Sequence, residues 1–384
     1  MSTRLSVDVL RAGALTRSER DAWRAFTAAS PSFRSPFFSL DFALVADEIA
    51  PEAGVAVIHR AGEIAGFLPF QKRGGIVQPL AAPLCDYHGV IAAPGERIDL
   101  AEVIRLTGAG AYRFNGLVGP HAPEGGRAFA HASLRADVSA GLEAWLDARP
   151  QTRKFFKDKE RARRAAERDL GPLEFRMEDD TPGLLPFVIA HKRDQYRRTA
   201  RHDVFGCGWT GELLRRLWDQ RTPEFGGRIS TLRAGGRLIA AEYGLRAGPV
   251  RNIWFTVYDP DLSRWGPGTL LMINMLKGAA NDETLNELDF GREGDAYKRY
   301  YADPGETVFE GTVAVDAWRK VSTQAADATL AAPPFKRVAE VRERMRRRFD
   351  IITACETNSS AWLGGAADAL IHAARRGPAL AHNA

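Results

Sequence analysis

The spacing of apolar and polar positions changes period several times along this chain, and each change predicts an element. A short strand opens the chain. Residues 17–28 then repeat apolar positions at helical spacing, and the aromatic run Phe33-Arg34-Ser35-Pro36-Phe37-Phe38-Ser39 leads into a second helix. Residues 55–59 and 64–71 alternate at period two around the turn Arg60-Ala61-Gly62-Glu63, which predicts a β-hairpin. Glycines and prolines punctuate further short strands to about residue 135. Residues 151–170 are dense in charge and stop at Gly171-Pro172, as a helix does. Two helical stretches fill 183–221, and strands are predicted at 229–233, 238–245 and 250–259. The last of these stops at Asp259-Pro260. A loop closed by Gly266-Pro267-Gly268 follows, then a helix with Leu270, Leu271, Ile273, Met275 and Leu276 on a broad apolar face, then a short strand at 288–291.

Beyond Trp318 the pattern changes. Residues 324–334 are rich in Ala and Pro and read as a linker; 335–350 form a basic amphipathic helix with Val338, Val341, Met345 and Phe349 on one side. One internal echo stands out. Val57-Ile58-His59-Arg60-Ala61-Gly62-Glu63-Ile64-Ala65-Gly66 resembles Ser230-Thr231-Leu232-Arg233-Ala234-Gly235-Gly236-Arg237-Leu238-Ile239-Ala240, about 174 residues later. Hairpins converge on such turns, but the spacing also fits a duplicated domain. The expected organisation is α+β: residues 1–148 and 149–318 as two related domains, and 319–384 as a linker and basic helical tail.

A length of 384 residues suits two domains and a tail, and 45% hydrophobic with 26% charged residues suits a soluble globular chain. The net charge of +5 favours phosphates, nucleotides, CoA or an anionic membrane face, or serves solubility alone. Cys85, Cys207 and Cys355 form no CxxC pair, so neither zinc nor a disulfide framework is indicated. With no leader-like N-terminus and no run of about 18 apolar residues, the expected location is cytoplasmic; the basic helix lies peripherally on an anionic membrane face, binds a dinucleotide phosphate pair or docks on the body. The P-loop, nucleophile-elbow and zincin motifs do not occur, nor do nucleic-acid-binding signatures.

The residues that carry chemistry gather late in the chain. A strand feeding a glycine-closed loop at a helix N-terminus presents backbone N–H groups and a positive dipole end, which suits a pyrophosphate; a plain β-turn-α packing unit has the same pattern. Glu242 lies in a strand that is otherwise small and apolar, where burial would raise its pKa and suit it to a base; an exposed face is the alternative. His191, Lys192, Gln195 and Tyr196 share a helix face that could line an acceptor site. Asp86, Tyr87 and His88 could hold a sugar hydroxyl or amine, or form a turn between strands. The charged helix at 151–170 grips an anion or is a solvated linker with internal ion pairs.

Together Trp254-Phe255, Tyr258-Asp259-Pro260, Pro267-Gly268, Asp289-Phe290-Gly291 and Gly294-Asp295-Ala296-Tyr297-Lys298 resemble the CelD/BcsL-type acyltransferases of bacterial exopolysaccharide synthesis. The upstream run from Lys192 to Thr199 and the run Asp86-Tyr87-His88-Gly89 are similar to that family too. The resemblance covers roughly residues 30–315 and implies two GNAT-like folds packed as in the FemAB peptidyltransferases, the second binding donor. It implies acyl transfer, acetyl foremost, from acyl-CoA to an amino sugar of an exopolysaccharide or its precursor. Under it a backbone N–H near Phe255 and Val257 polarises the thioester, and Arg264, Trp265, Gly266, Gly268 and Thr269 hold the pyrophosphate. Glu242, Asp289 and Asp295 are the candidate bases, Tyr297 protonates the leaving thiolate, and Lys298 steadies an acceptor anion. Pro267 removes one amide from the loop. Some relatives of this type answer to cyclic-di-GMP, for which Arg344, Arg347 and Asp350 are the candidates. Two rival readings are a Fem-type transferase using aminoacyl-tRNA and a non-catalytic cyclic-di-GMP receptor on a polysaccharide synthase.

Overall fold

Among the described residues thirteen strands form, all in one sheet. The computed structural model describes residues 4–119, 128–315 and 336–375. The strands are β1 (Leu5–Leu10), β2 (Ala53–Arg60), β3 (Glu63–Arg73), β4 (Ile76–Pro79), β5 (Ile91–Ala92), β6 (Ala111–Leu117), β7 (Ala128–Asp137), β8 (Leu173–Arg176), β9 (Phe225–Ala234), β10 (Arg237–Ala247), β11 (Val250–Tyr258), β12 (Glu287–Arg292) and β13 (Asp303–Ala314). The helices are α1 (Arg17–Ala29), α2 (Leu40–Ile49), α3 (Leu100–Leu106), α4 (Leu142–Asp147), α5 (Pro150–Leu170), α6 (Leu184–Arg198), α7 (Trp209–Asp219), α8 (Pro267–Ala279), α9 (Lys336–Cys355) and α10 (Ser359–Arg375). The expected linker at 324–334 lies outside the described residues.

The sheet order is β1-β2-β3-β4-β6-β13-β7-β12-β11-β10-β9-β8, with β5 beside β3. It is a palindrome. Each half runs strand, two helices, hairpin, strand, helix crossover and parallel strand, so β1 to β4 and β6 answer to β8 to β12. The last strand of each half crosses the seam: β7 pairs with β12, and β13 pairs with β6. The internal echo is structural as well. Both hairpins turn on two left-handed residues, Ala61-Gly62 (φ 54° and 87°) and Gly235-Gly236 (φ 54° and 80°), as a type I′ turn requires. In both, the register then slips by one residue, at Ala65 and at Ile239. The fold is α+β, two tandem halves sharing one sheet, with α9 and α10 as a helical extension.

The charged helix takes its solvated form. In α5, Arg163 pairs with Glu160 and Glu167, while Phe156 is buried and Phe155 stacks on Tyr300 at 4.3 Å.

Two expected bases turn out to brace strands. Glu242 is fully buried on β10; its carboxylate pairs with Arg251 at 2.6 Å and accepts the Trp254 N–H at 3.1 Å. Trp254 is the extra residue where β11 slips against β10, between Ile253 and Phe255. Burial pushes the Glu242 pKa up while Arg251 pulls it down. Asp289 is equally buried on β12 and accepts the Tyr87 hydroxyl and the Gly291 N–H, each at 2.8 Å, with Arg135 3.8 Å away. Gly291 takes φ 73°, and the pairing of β12 with β7 is irregular at that point. Neither carboxylate reaches open space, because each is closed on a charge and on backbone it holds. Tyr87 and His88 are likewise buried rather than free for a substrate: His88 Nε2 accepts the Asn115 and Gly116 N–H groups at 3.3 Å. Burial, with Arg292 nearby, lowers the His88 pKa to about 3, so the ring stays neutral.

Glu242→Gln leaves the Arg251 charge buried without its partner, and a loss of about 3–5 kcal/mol is expected in urea denaturation. Replacing Arg251 with Met at the same time should recover part of it. A normally stable Glu242→Gln protein with no turnover would instead make Glu242 a chemical group. For His88 the folded pKa lies below the unfolded value near 6.5. Its stabilising effect is therefore complete above about pH 6.5 and declines as pH falls toward about 3. Between pH 6 and 5, wild-type stability should fall more steeply than that of His88→Gln, by up to about 1.4 kcal/mol per pH unit.

Candidate functional site

The parallel strands β11 and β12 pair only through Val250–Glu287, Arg251–Leu288 and Asn252–Asp289. Beyond that point both continue but part, β11 kinked by the Glu242-held bulge and β12 by the turn at Gly291. The gap is a cleft of about 480 Å³. Its walls are the parting strands, α6, the start of α8 and the 3-10 turn Ala296–Tyr300.

The start of α8 has the chemistry of an anion site. Gly266 turns left-handed (φ 62°), Pro267 occupies the first helical position, and no side chain caps the end. Leu270 is bonded back to Gly266, which leaves the Gly268 and Thr269 N–H groups outside the helical ladder at the positive dipole end. Both residues line the cleft. A Cβ on Gly268 would stand 3.4 Å from the Tyr258 ring, so larger side chains there enter the cleft. The equivalent helix of the first half, α3, differs: the Asp99 carboxylate occupies its N-terminus, accepting the Ala101 N–H at 2.8 Å. Trp265 is buried and donates to Asp169 at 3.1 Å, so it anchors the loop to the end of α5; Arg264 stacks on its ring at 3.7 Å. The side chains of Phe255 and Val257 belong to the core.

Opposite α8, the helix α6 presents Lys192, Gln195, Tyr196 and Thr199 to the cleft, the i, i+3, i+4, i+7 face. His191 is one step off it, bonded to the Phe187 carbonyl and lying against the Phe187 ring at 3.8 Å. Lys192, which the sequence places on a helix face that could line an acceptor site, lines the cleft. Burial first, then Arg201, lowers its pKa to about 8, while Asp295 opposes the shift. Its ammonium lies 3.5 Å from the Thr256 carbonyl on the free edge of β11. Asp295, Tyr297 and Lys298 line the far wall. Burial, then Asp295, raises the Tyr297 pKa, so the phenol keeps its proton at neutral pH. Lys298 donates to the Phe290 carbonyl at 2.8 Å. Tyr301, which the sequence reading did not single out, stacks with Phe290 and is held near pKa 12 by burial.

A second groove of about 600 Å³ continues from this cleft, sharing Tyr196, Thr199, Arg201 and Trp254 as walls. Asp86 lines it. Burial raises the Asp86 pKa to about 6; the Lys298 charge works against this and Asp289 adds to it. The carboxylate packs on Gly291, where a Cβ would come within 3.2 Å. Arg344 and Arg347 of α9 also line the groove. Arg347 pairs with Glu310, and Asp350 pairs with Arg113 and Arg346, so Arg347 and Asp350 face different partners. Among the described residues no cluster of three or more His, Cys, Asp or Glu side chains could hold a metal, and no helix is long and apolar enough to cross a membrane.

Residues 153–299 match the family model of the acetyltransferase (GNAT) domain. No curated protein matches the chain. Solved structures with a similar arrangement include a tandem GNAT protein from the clavulanic acid biosynthesis pathway, at 12% identity and TM-score 0.49 over 82% of this chain and 99% of that one. FemX aligns at 10% identity and TM-score 0.49 over 83% and 99%, and a conserved protein of unknown function from Bacteroides thetaiotaomicron at 12% and 0.48 over 81% and 100%. Such low identities and scores carry no residue role across. The uncapped helix, the parted strands and the family match fall on the same residues: 153–299 form an acetyltransferase (GNAT) domain, which supports N-acyltransferase activity.

Proposed function

We propose that the cleft between β11 and β12 transfers an acyl group, acetyl foremost, from acyl-CoA to the amine of an amino sugar belonging to an exopolysaccharide or its precursor. The observation that carries this reading is the uncapped N-terminus of α8 facing a cleft that also holds Lys192, Asp295 and Tyr297. The residues present fit the donor: the Gly268 and Thr269 amides would hold its pyrophosphate, with Arg264 at the outer side of the loop. Bound there, the donor supplies an activated thioester carbonyl.

The remaining chemistry belongs to this chain. Thr256 turns its carbonyl toward Lys192, and in an extended strand the N–H of the same residue points to the same edge. That N–H and the Lys192 ammonium would stabilise negative charge developing on the carbonyl oxygen. Asp86, ionised above about pH 6, would take the proton from the attacking amine as the N–C bond forms. Tyr297 would give its proton to the sulfur as the C–S bond breaks, and Asp295 would keep Lys192 charged and in place. Control by cyclic-di-GMP would enter through Arg344, Arg347 and Asp350, the last two of which would first have to release Glu310 and Arg113.

The pH dependence follows. Asp86 loses its proton as pH rises through about 6 and Lys192 as it passes about 8, so kcat for acetyl transfer to glucosamine should be bell-shaped with limbs near those values. Asp86→Asn should remove the acidic limb and lower kcat by roughly 10²-fold or more. Lys192→Met should lower kcat by roughly 10²–10³-fold and erase the alkaline limb. Full rates and an unchanged profile in both variants would remove these assignments.

A further inference from the structure

The groove beside the cleft has a charge balance that a neutral sugar does not need. It is lined by Arg201, Arg292, Arg344, Arg347 and Arg348, and the one carboxylate among its lining residues is Asp86. Three of these arginines come from α9, a helix outside the matched GNAT segment. We infer that the acceptor carries a phosphate or diphosphate, and that α9 completes the acceptor site by supplying the cations that hold it. The inference rests on the proposed acyl transfer in the adjoining cleft and adds the chemical class of the acceptor.

The position of α9 is built. It closes the first half's counterpart of the donor cleft, where β4 and β6 pair only through Ile76–Ala111 and Val77–Tyr112 before parting. There Asp350 accepts from Arg113, its carbonyl accepts the Gln78 amide at 3.2 Å, and only about 130 Å³ remains. At the other end of the helix the Trp209 indole donates to the Cys355 carbonyl at 3.0 Å, and the Cys207 and Cys355 thiols both point to the Val204 carbonyl, at 3.2 and 4.0 Å. With one face fixed, α9 turns Arg344, Arg347 and Arg348 toward the groove on the other.

Counter-charges are present but fewer. Glu310 is buried and accepts from Arg292, Arg346 and Arg347, which holds those guanidiniums in place. Glu343 adds a second acid beside Arg346 and Arg347. The linings of the groove and the closed pocket behind it together contain seven arginines against Asp86, Glu310 and Asp350. Arg201 and Arg344 have no carboxylate partner among the described residues, and both are exposed. An excess of guanidinium groups around one wall, braced from behind, is an arrangement that recognises phosphate oxygens. The walls shared with the cleft put such an anion next to the proposed site of acyl transfer.

Two measurements test this. With CoA saturating the donor side, inorganic pyrophosphate is titrated calorimetrically into wild type and into Arg201→Gln/Arg344→Gln. Wild type is expected to bind in the micromolar to low millimolar range and the variant at least about tenfold more weakly. Acetyl transfer is then compared for glucosamine, glucosamine 1-phosphate and UDP-glucosamine. The phosphorylated acceptors are expected to exceed glucosamine in kcat/KM by at least about 30-fold, a preference that falls with added salt and collapses in the double variant. Acetyl-CoA affinity on the same samples shows that the variant is folded. UDP-glucosamine above glucosamine 1-phosphate points to a nucleotide-linked donor of the phosphate; equal values point to the phosphate alone, as a lipid-linked sugar would also present. Equal rates for all three sugars, or no pyrophosphate binding with CoA present, overturn the inference while leaving acyl transfer standing. Loss of acetyl-CoA binding and of all transfer in wild type would instead remove the proposed function.

Discussion

The site depends on one constraint: β11 and β12 must pair at their start and then part. A parallel pair left to itself would continue its ladder, so each strand needs something to turn it aside. Two buried carboxylates do this. Glu242 takes the Trp254 N–H out of the ladder and holds the bulge on β11, with Arg251 balancing its charge. Asp289 takes the Gly291 N–H and the Tyr87 hydroxyl, fixing the left-handed kink on β12. The gap between them admits Lys192 from α6, and the uncapped start of α8 closes one end.

The same parting occurs in the first half, between β4 and β6, but its use is different. There the crossover helix is capped by its own aspartate and α9 fills the opening. The two tandem halves thus carry two such openings, one left open as the cleft and the other filled as a seat for the C-terminal helix. The seat in turn aims the arginines of α9 at the groove next to the open cleft.

Much of this was legible in the sequence. The hairpins, the charged helix, the glycine-closed loop with its apolar helix and the internal echo all follow from local rules of period and turn chemistry, and each forms. The errors share a physical origin. A carboxylate in an apolar strand reads as a base with a raised pKa, and both buried carboxylates do have raised pKa values, yet each is closed on partners. For Glu242 the signal was Arg251, a second charge in the same hairpin. On α6 the expected face of His191, Lys192, Gln195 and Tyr196 lines the cleft except for His191, because the helical intervals from Lys192 lead to Gln195, Tyr196 and Thr199 and leave His191 one step aside. The seating of α9 had no local signature, because it depends on the shape of a distant opening.

The central claim is that the uncapped end of α8 holds the pyrophosphate of an acyl-CoA. Calorimetric titration of acetyl-CoA into the wild type and into Gly268→Asp tests it most directly, because the substitution places a carboxylate at that helix end and into the cleft. Micromolar binding in the wild type, weakened at least about 30-fold in a variant of unchanged Tm, is the predicted result. Equal affinity in the two proteins, or no binding at millimolar acetyl-CoA, would contradict it.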